Sequence, residues 1–400
     1  MKKLSIRFLL VAVIIAIGIA ESNAEQVWIG DLYYTLNSDG TAEVTRPGDE
    51  GYDRIKGDVV IPETITYNEV TYKVITIGRD AFEYYGLTSV SIPNSVTTIS
   101  SSAFSHNFKL KSVIIGNSVT EIKNHAFYDC PSLTSITIPN SVTVISSNAF
   151  TSCPGLTSVT LSNSLTEIDG YTFMNCTGLT SITLPESITR IGSHAFQGCT
   201  GLTSISIPNS VRYLAQGAFK GCTGLTSVTL SNSLTTLNGY TFKGCTGLTS
   251  VTIPNSVTRI ETETFHGCSG LTTVTLGKNV EVIADQAFYS DNSKIELIKC
   301  LNPTPPDVFY LYLVFPKSIL STCVLQVPEE ALETYRSQAY WKQFINIEAL
   351  PADGGICDIG ADDRIEVARY DVNGREVNAD YTGIVIVRYN DGTVQKVVTK

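Results

Sequence analysis

The stretch CTGLTSITLPESITRIGSHAFQGC runs from Cys176 to Cys199, and CTGLTSISIPNSVRYLAQGAFKGC continues it from Cys199 to Cys222. The two are nearly the same sentence. Working outward from them, Phe104, Phe127, Phe150, Phe173, Phe196, Phe219, Phe242, Phe265 and Phe288 stand 23 residues apart, and Phe82 precedes them by 22. Leu110 to Leu271 and Cys130 to Cys268 keep the same step. A fixed period in the twenties, rich in Leu and Ile, is the mark of a leucine-rich-repeat solenoid. Within one unit, Ile182 and Leu184 alternate with Ser181 and Thr183, so Ser181 to Pro185 reads as a short strand with one buried face. Pro185 ends it, because proline has no N–H to continue a ladder. Ile188 and Ile191 return to the core, and Ser193 to Phe196 reads as a tight helical or 3₁₀ turn that inserts Phe196. One such unit buries too little alone, so each coil shares its core with the next, and strands of successive coils pair in parallel about 4.8 Å apart. Gly155 to Gly178 returns almost unchanged as Gly224 to Gly247, 69 residues later, which points to duplication of a three-coil block.

The 400 residues carry a net charge of −10, and 16% of them are charged. No basic stripe is present to neutralise phosphates, so a nucleic-acid partner is not expected. Lys2, Lys3 and Arg7 precede an apolar run from Phe8 to Ala20, and Ser22-x-Ala24 offers a small-x-small cleavage site. Residues 1–24 read as a secretory signal peptide. A membrane anchor is the alternative, but the run is short of the ~20 residues a bilayer span needs. No second long apolar run follows, so no transmembrane segment is expected in the mature chain.

Five further segments follow. Residues 25–80 are read as an N-terminal cap and first irregular coil, with a hairpin turned at Asp39-Gly40. Residues 81–300 are the repeat array. Residues 301–350 form a C-terminal cap with a helix expected from Glu329 to Phe344, whose Leu332, Tyr335, Tyr340, Trp341 and Phe344 cover the last coil. Residues 351–364 are a linker, and residues 365–400 a small all-β module with turns at Asn373-Gly374 and Asp391-Gly392. The fold class is thus a leucine-rich-repeat solenoid of parallel strands and short turns, capped at both ends, plus a small all-β C-terminal module.

The unit GLTSITLPESITRIGSHAFQGCTGL resembles the BspA-like leucine-rich repeats of bacterial surface proteins. The phrase CVLQVPEEALETYRSQAYWKQFINI is similar to a cap that follows such arrays in Bacteroidetes proteins. YDVNGREV and GIVIVRYNDGTVQKVV are similar to C-terminal sorting modules of the type IX secretion route, a resemblance that implies outer-membrane association. The repeat resemblance implies a surface-exposed binding or adhesion protein. The partner differs between members of that group and does not carry over.

Residues fit for chemistry are few. His125 and His194 share a repeat position but sit three coils apart, about 14 Å by strand spacing, so they cannot share a metal. No G-x-S-x-G elbow, P-loop or dinucleotide fingerprint occurs. Asp371 to Glu376 lacks the spacing of a calcium loop. No cofactor, metal site or catalytic residue is expected. Cys130, Cys153, Cys176, Cys199, Cys222, Cys245 and Cys268 form one ladder, one per coil, and are expected as buried structural thiols, since Cys serves as a small hydrophobe. Cys300 and Cys323 flank the cap and could pair, and Cys357 has no evident partner.

The polar strand face is the candidate binding face. Ser135 and Thr137, Ser158 and Thr160, Ser181 and Thr183, Ser204 and Ser206, Ser227 and Thr229, and Ser250 and Thr252 fall in line as two columns of hydroxyls. These are also soluble strand-face residues with no further role needed, and the face lacks the aromatics that anchor most interfaces. The expected function is that of an exported, non-enzymatic cell-surface protein that recognises an extracellular protein or glycan. The alternatives are a structural spacer without a specific ligand and an accessory to glycan degradation.

Overall fold

The computed structural model of the chain describes residues 24–48, 55–308, 313–351, 366–371, 375, 377, 383–389 and 394–399. The expected signal peptide, apart from Ala24, lies outside them, as do Cys357, the linker from residue 352 and the two expected hairpin turns of the C-terminal module. Among the described residues no helix is long and apolar enough to cross a membrane.

The interior is built on one stack of rings. Phe82, Phe104, Phe127 and each repeat phenylalanine up to Phe288 lie face to face with centroids 5.1–5.6 Å apart and planes within 14°. All are 2% exposed or less. Identical rings one coil apart stack because parallel coils in register put the same atom of each at the same place. Such offset stacks add ~0.5–1.5 kcal/mol per pair to the area they bury. The regular period ends at Phe288, but the stack does not. Phe315, after a longer insertion, lies on Phe288 at 5.2 Å.

Two parallel ladders flank this stack. On the first side the register steps by one period, as in Ser135↔Ser158, Ile136↔Val159 and Thr137↔Thr160, and again in Ser204↔Ser227, Ile205↔Val228 and Ser206↔Thr229. The second ladder is made of two-residue strands such as Arg190–Ile191, which pairs with Tyr213–Leu214 one coil on; it is interrupted after Val144–Ile145 and again after Tyr213–Leu214. The sequence reading treats this segment as a return to the core. The structure makes it a ladder whose second residue, Ile or Leu, points inward.

The strand expected at Ser181 to Pro185 does not form, although Ile182 and Leu184 are buried as alternation requires. Between Ser112 and Leu276 the open junctions go with proline, although Pro93 and Pro328 stand at the same place in coils that do pair. At the place after the strand, an N–H can donate to the carbonyl before that place in the preceding coil, as Leu301 does to Leu276 at 3.0 Å. Pro139, Pro185, Pro208 and Pro254 cannot donate there. From Ser112 to Leu276, every junction entered through one of these prolines is open, and those entered through Ser162, Ser231 or Gly277 are paired. The amide-to-carbonyl bonds one position ahead of the strands follow suit. They measure 2.9 Å at Thr157, Thr226 and Thr272 and 3.2–3.4 Å at Thr134, Thr203 and Thr249. Ser181–Leu184 has a proline in its own coil and another in the next, and so pairs with neither neighbour.

At the N-terminal end, Leu32–Leu36 and Thr41–Val44 form the expected hairpin, with Gly40 at φ 80°. Thr41–Val44 then pairs in parallel with Val70–Ile77, which joins the second ladder. At the other end the expected helix from Glu329 to Phe344 is in pieces. A 3₁₀ turn at Glu329–Ala331, a helix at Leu332–Ser337 and a 3₁₀ turn at Trp341–Gln343 replace it. Gln338 is extended, with ψ 133°. The break lets Tyr335, Tyr340, Trp341 and Phe344 all reach the core. Their polar atoms are met: Trp341 Nε1 donates to the Pro306 carbonyl at 2.9 Å, and Tyr335 Oη to that of Asn302 at 2.7 Å. Glu366–Asp371, Gly383–Tyr389 and Val394–Thr399 form an antiparallel three-stranded sheet.

Candidate functional site

All twelve residues of the expected face are exposed. Ser135, Ser158, Ser181, Ser204, Ser227 and Ser250 make one column on the first ladder. Thr137, Thr160, Thr183, Ser206, Thr229 and Thr252 make the other. The columns are not continuous sheets, which corrects the even row expected from the repeat. Thr137 pairs in register with Thr160, and Ser206 with Thr229, but the junctions from Thr160 to Thr183 and from Thr183 to Ser206 are open. Both open junctions are entered through a proline, Pro185 or Pro208. A third column beside these two is structural. Thr157 and Thr226 each send both N–H and Oγ1 to the carbonyl of the same residue one coil back, at 2.9–3.1 Å. The twelve are left facing solvent, on a surface whose successive coils pair at some junctions and not at others.

The cysteines lie inside. Cys130 to Cys268, Cys300 and Cys323 are buried and free. Each of the seven ladder thiols lies 3.1–3.2 Å from the carbonyl of the phenylalanine in the preceding coil and donates to it. Asn107 shows why the slot is polar. It stands where the cysteine would be in an earlier coil, wholly buried, and its Nδ2 donates to the Phe82 carbonyl at 2.7 Å. The ladder is therefore a row of buried donors that happen to be thiols. Burial pushes the Cys199 thiol up to about 12. Cys300 and Cys323 form no disulfide; the Cys300 sulfur sits 3.0 Å from Tyr335 Oη. Among the described residues no three His, Cys, Asp or Glu side chains gather as a metal site.

A third side, around the stretch read as a helical or 3₁₀ turn, departs most from the sequence reading. It is a row of β-turns whose backbone alternates between right- and left-handed residues. His194, Phe196 and Gly198 donate to Gln216, Ala218 and Lys220 of the next coil, while Ala195, Gln197 and Cys199 close turns within their own. A helix would keep φ negative throughout; here His194 is at φ 56° and Gly198 at 72°. The positive-φ places form two columns. In the one just after the phenylalanines, Gly198, Gly221, Gly244 and Gly267 hold φ 72–73°, as a left-handed place favours. In the coils before them the same column holds Tyr84, His106, Asp129, Ser152 and Asn175, at φ 54–66°. For Tyr84 and Ser152 this costs roughly 1–2 kcal/mol, while His106, Asp129 and Asn175 are of types that adopt the place more readily.

They meet at the N-terminal end of the array. The Tyr84 ring stacks on His106 at 4.3 Å and 4°. Tyr128 presents its edge to His106 at 5.2 Å and lies 5.4 Å from His125. His106 Nδ1 is 3.0 Å from Asp129 Oδ2. Tyr84 and Phe108 are more than half exposed, at 54% and 51%. Beside them an open groove of about 450 Å³ runs across five coils, from Glu83 to Met174, lined by His106, His125, Tyr128, Asn148 and Tyr171 among others. Sequence reasoning treats the histidines singly and misses that His106 and His125 share this groove. The signal was present in the residues flanking each phenylalanine, where side chains differ from coil to coil.

The family model for the BspA-type leucine-rich-repeat region matches six copies over residues 75–203 and 191–302, more than half of the chain. The chain belongs to the BspA-type leucine-rich-repeat family. Among solved structures, it is similar to a leucine-rich-repeat protein from Bacteroides ovatus, at 24% identity over 81% of this chain and 99% of that one, TM-score 0.43. It is also similar to a leucine-rich cell-surface protein from Faecalibacterium prausnitzii, at 27% identity over 69% and 94%, TM-score 0.38. A third is a leucine-rich-repeat protein of T. pallidum, at 29% identity over 56% and 91%, TM-score 0.38. No curated protein matches the chain.

Proposed function

We propose that the chain is an exported, non-catalytic cell-surface protein that recognises an extracellular protein or glycan. On this reading residues 1–24 are a signal peptide, the array of residues 81–300 between its two caps is the recognition surface, and residues 365–400 direct or hold the protein at the outer membrane. The observation that carries the reading is the exposed order of the outside. A ring stack and two ladders hold surface side chains in fixed columns over many coils, a form suited to repeated contact with an extended partner. The test is binding of the chain from Glu25 onward to arrays of extracellular matrix proteins, mucins and glycans. A variant with Ser181, Thr183, Ser204, Ser206, Ser227 and Thr229 changed to Lys or Glu reports on the strand face. Saturable binding is expected. Its loss in the variant places the contact on the hydroxyl columns, and its retention moves the contact elsewhere on the array. Absence of any saturable ligand would favour a spacer role instead.

A further inference from the structure

We infer that the groove on the turn side, between Glu83 and Met174, is a binding site for a linear, uncharged hexose polymer; the inference rests on the recognition reading above and names a ligand class and a place for it. Three observations converge. The first is chemical. The groove presents aromatic and imidazole rings (His106, His125, Tyr128, Tyr171) next to the amide of Asn148 and the hydroxyl of Ser102. Sugars need both kinds of contact, because a pyranose ring has an apolar C–H face for stacking and a rim of hydroxyls for hydrogen bonding.

The second is electrostatic. The two carboxylates at the groove already have partners. Glu83 is bound by Arg46 at 2.9 Å and accepts from Ser105 Oγ at 3.1 Å, while Asp129 is bound by His106. A polyanion would find these carboxylates and no free cluster of cations. A basic peptide would have to displace partners already in place. An uncharged polymer meets neither obstacle.

The third is geometric. The groove runs along the stack, so its walls repeat once per coil, the step over which successive phenylalanine rings lie 5.1–5.6 Å apart. That is close to the advance per unit of an extended β-1,4-linked hexose chain. Five coils therefore offer about four successive places in register with the ligand. The side chains that make these places include His106 and His125, both held at positive φ, where Gly198 and Gly217 occupy the same columns further on. In the first column glycine takes over from Gly198 to Gly267, while in the second side chains continue at His194, Tyr240, Glu263 and Gln286 and Gly217 alone is glycine.

That last point supplies the test. His106→Gly and His125→Gly put into the groove the residues that the array itself carries at Gly198 and Gly217. Tyr128→Lys copies Lys220, which follows its phenylalanine in the same way. All three should fold, with thermal unfolding at or above the parent temperature for the two glycine variants. Titration calorimetry of the chain from Glu25 onward with cello-, manno- and malto-oligosaccharides is expected to show binding to at least one series. Affinity should rise with length and level off at about four units. Each variant should weaken it by about tenfold or more, while the six-residue strand-face variant leaves it unchanged. Oligosaccharide binding that survives all three groove variants would overturn the inference. So would binding of a protein ligand with no response to any of the three sugar series, and that outcome would leave the recognition reading standing. Absence of saturable binding to either class would remove both.

Discussion

The coils from Phe82 to Asn175 and those from Phe196 to Gly267 share one interior and differ on one outer side. Ring stacking does not distinguish them: Phe82 to Phe104 is 5.1 Å and Phe242 to Phe265 is 5.3 Å. The column of positive φ after each phenylalanine does, since it bears Tyr84, His106, Asp129, Ser152 and Asn175 in the first set and glycine in the second. The difference separates two kinds of information in a repeat. What returns every period specifies the coil. What is allowed to drift, at a place where glycine would be the easier choice, is where a particular array acquires its own surface.

The largest test of this comparison uses alkali. Burial raises the thiols of Cys130, Cys153, Cys176, Cys199 and Cys268, while Asn107 fills that slot one coil before Cys130, so titration of these thiols should spare the first coils. Burial raises the Cys199 thiol from 9.0 to about 12. The sign follows directly. Below the ordinary thiol range both folded and unfolded chains keep the proton and nothing changes. Between about 9 and 12 the unfolded chain releases protons that the folded chain retains, so stability falls by roughly 1.4 kcal/mol per pH unit for each such thiol. Thermal unfolding from pH 8 to 11 should show a steep loss, shallower in Cys199→Ala. Amide exchange should report the coils after Cys130 opening first. A flat profile would mean the thiols are not held as described.

Next in size are Phe104→Ala and Phe219→Ala, one from each set. Each removes a wholly buried ring with stacked neighbours on both sides and should cost about 3–5 kcal/mol by urea unfolding. The comparison requires similar costs. A much smaller loss at Phe104 would show that the N-terminal coils are not part of the same cooperative interior.

What was legible in the residues follows the same division. Period, inward phenylalanines, alternation at Ile205 and Ile207 and the buried cysteine ladder all repeat, and repetition makes them readable from one chain. The second ladder was not read because two residues such as Arg190–Ile191 cannot display alternation. The left-handed turns escape the sequence reading because Tyr84, Ser102, Ser152 and Tyr171 have no preference for positive φ, and the Asn, Asp and His that favour it are scattered among them. The lost strand at Ser181 goes with prolines in two consecutive coils, Pro185 and Pro208, a relation visible only once the coils are laid on one another. The groove was missed for the reason that makes it interesting: its walls come from five coils at the places where the repeat does not repeat.

A smaller effect isolates the backbone term. An added Cβ at Gly221 meets nothing nearer than 4.0 Å, so Gly221→Tyr carries the cost of positive φ without a clash. It should destabilise by roughly 1–2 kcal/mol, and Tyr84→Gly should recover a similar amount, both by thermal unfolding. If Gly221→Tyr is neutral, the tyrosines and histidines of the first coils need no reason beyond chance.

The smallest effect concerns the open junctions of the strand side, which both sets of coils share. Pro208→Ser restores the N–H that faces the Leu184 carbonyl. The junction should then close as its equivalents do where Ser162 or Ser231 stands, with Leu184 N–H reaching the Ser206 carbonyl as Ile207 N–H reaches Thr229 at 2.9 Å. The new bonds are worth about 0.5–1.5 kcal/mol each. Losing a proline from the unfolded chain offsets about 0.4–1 kcal/mol of that. Net stability should therefore move by less than about 1 kcal/mol. Hydrogen exchange at Leu184 is the sharper readout, and it should slow markedly. If it does not, proline is a passenger at these junctions, and the alternation of tight and open coils has its cause in the side chains beneath.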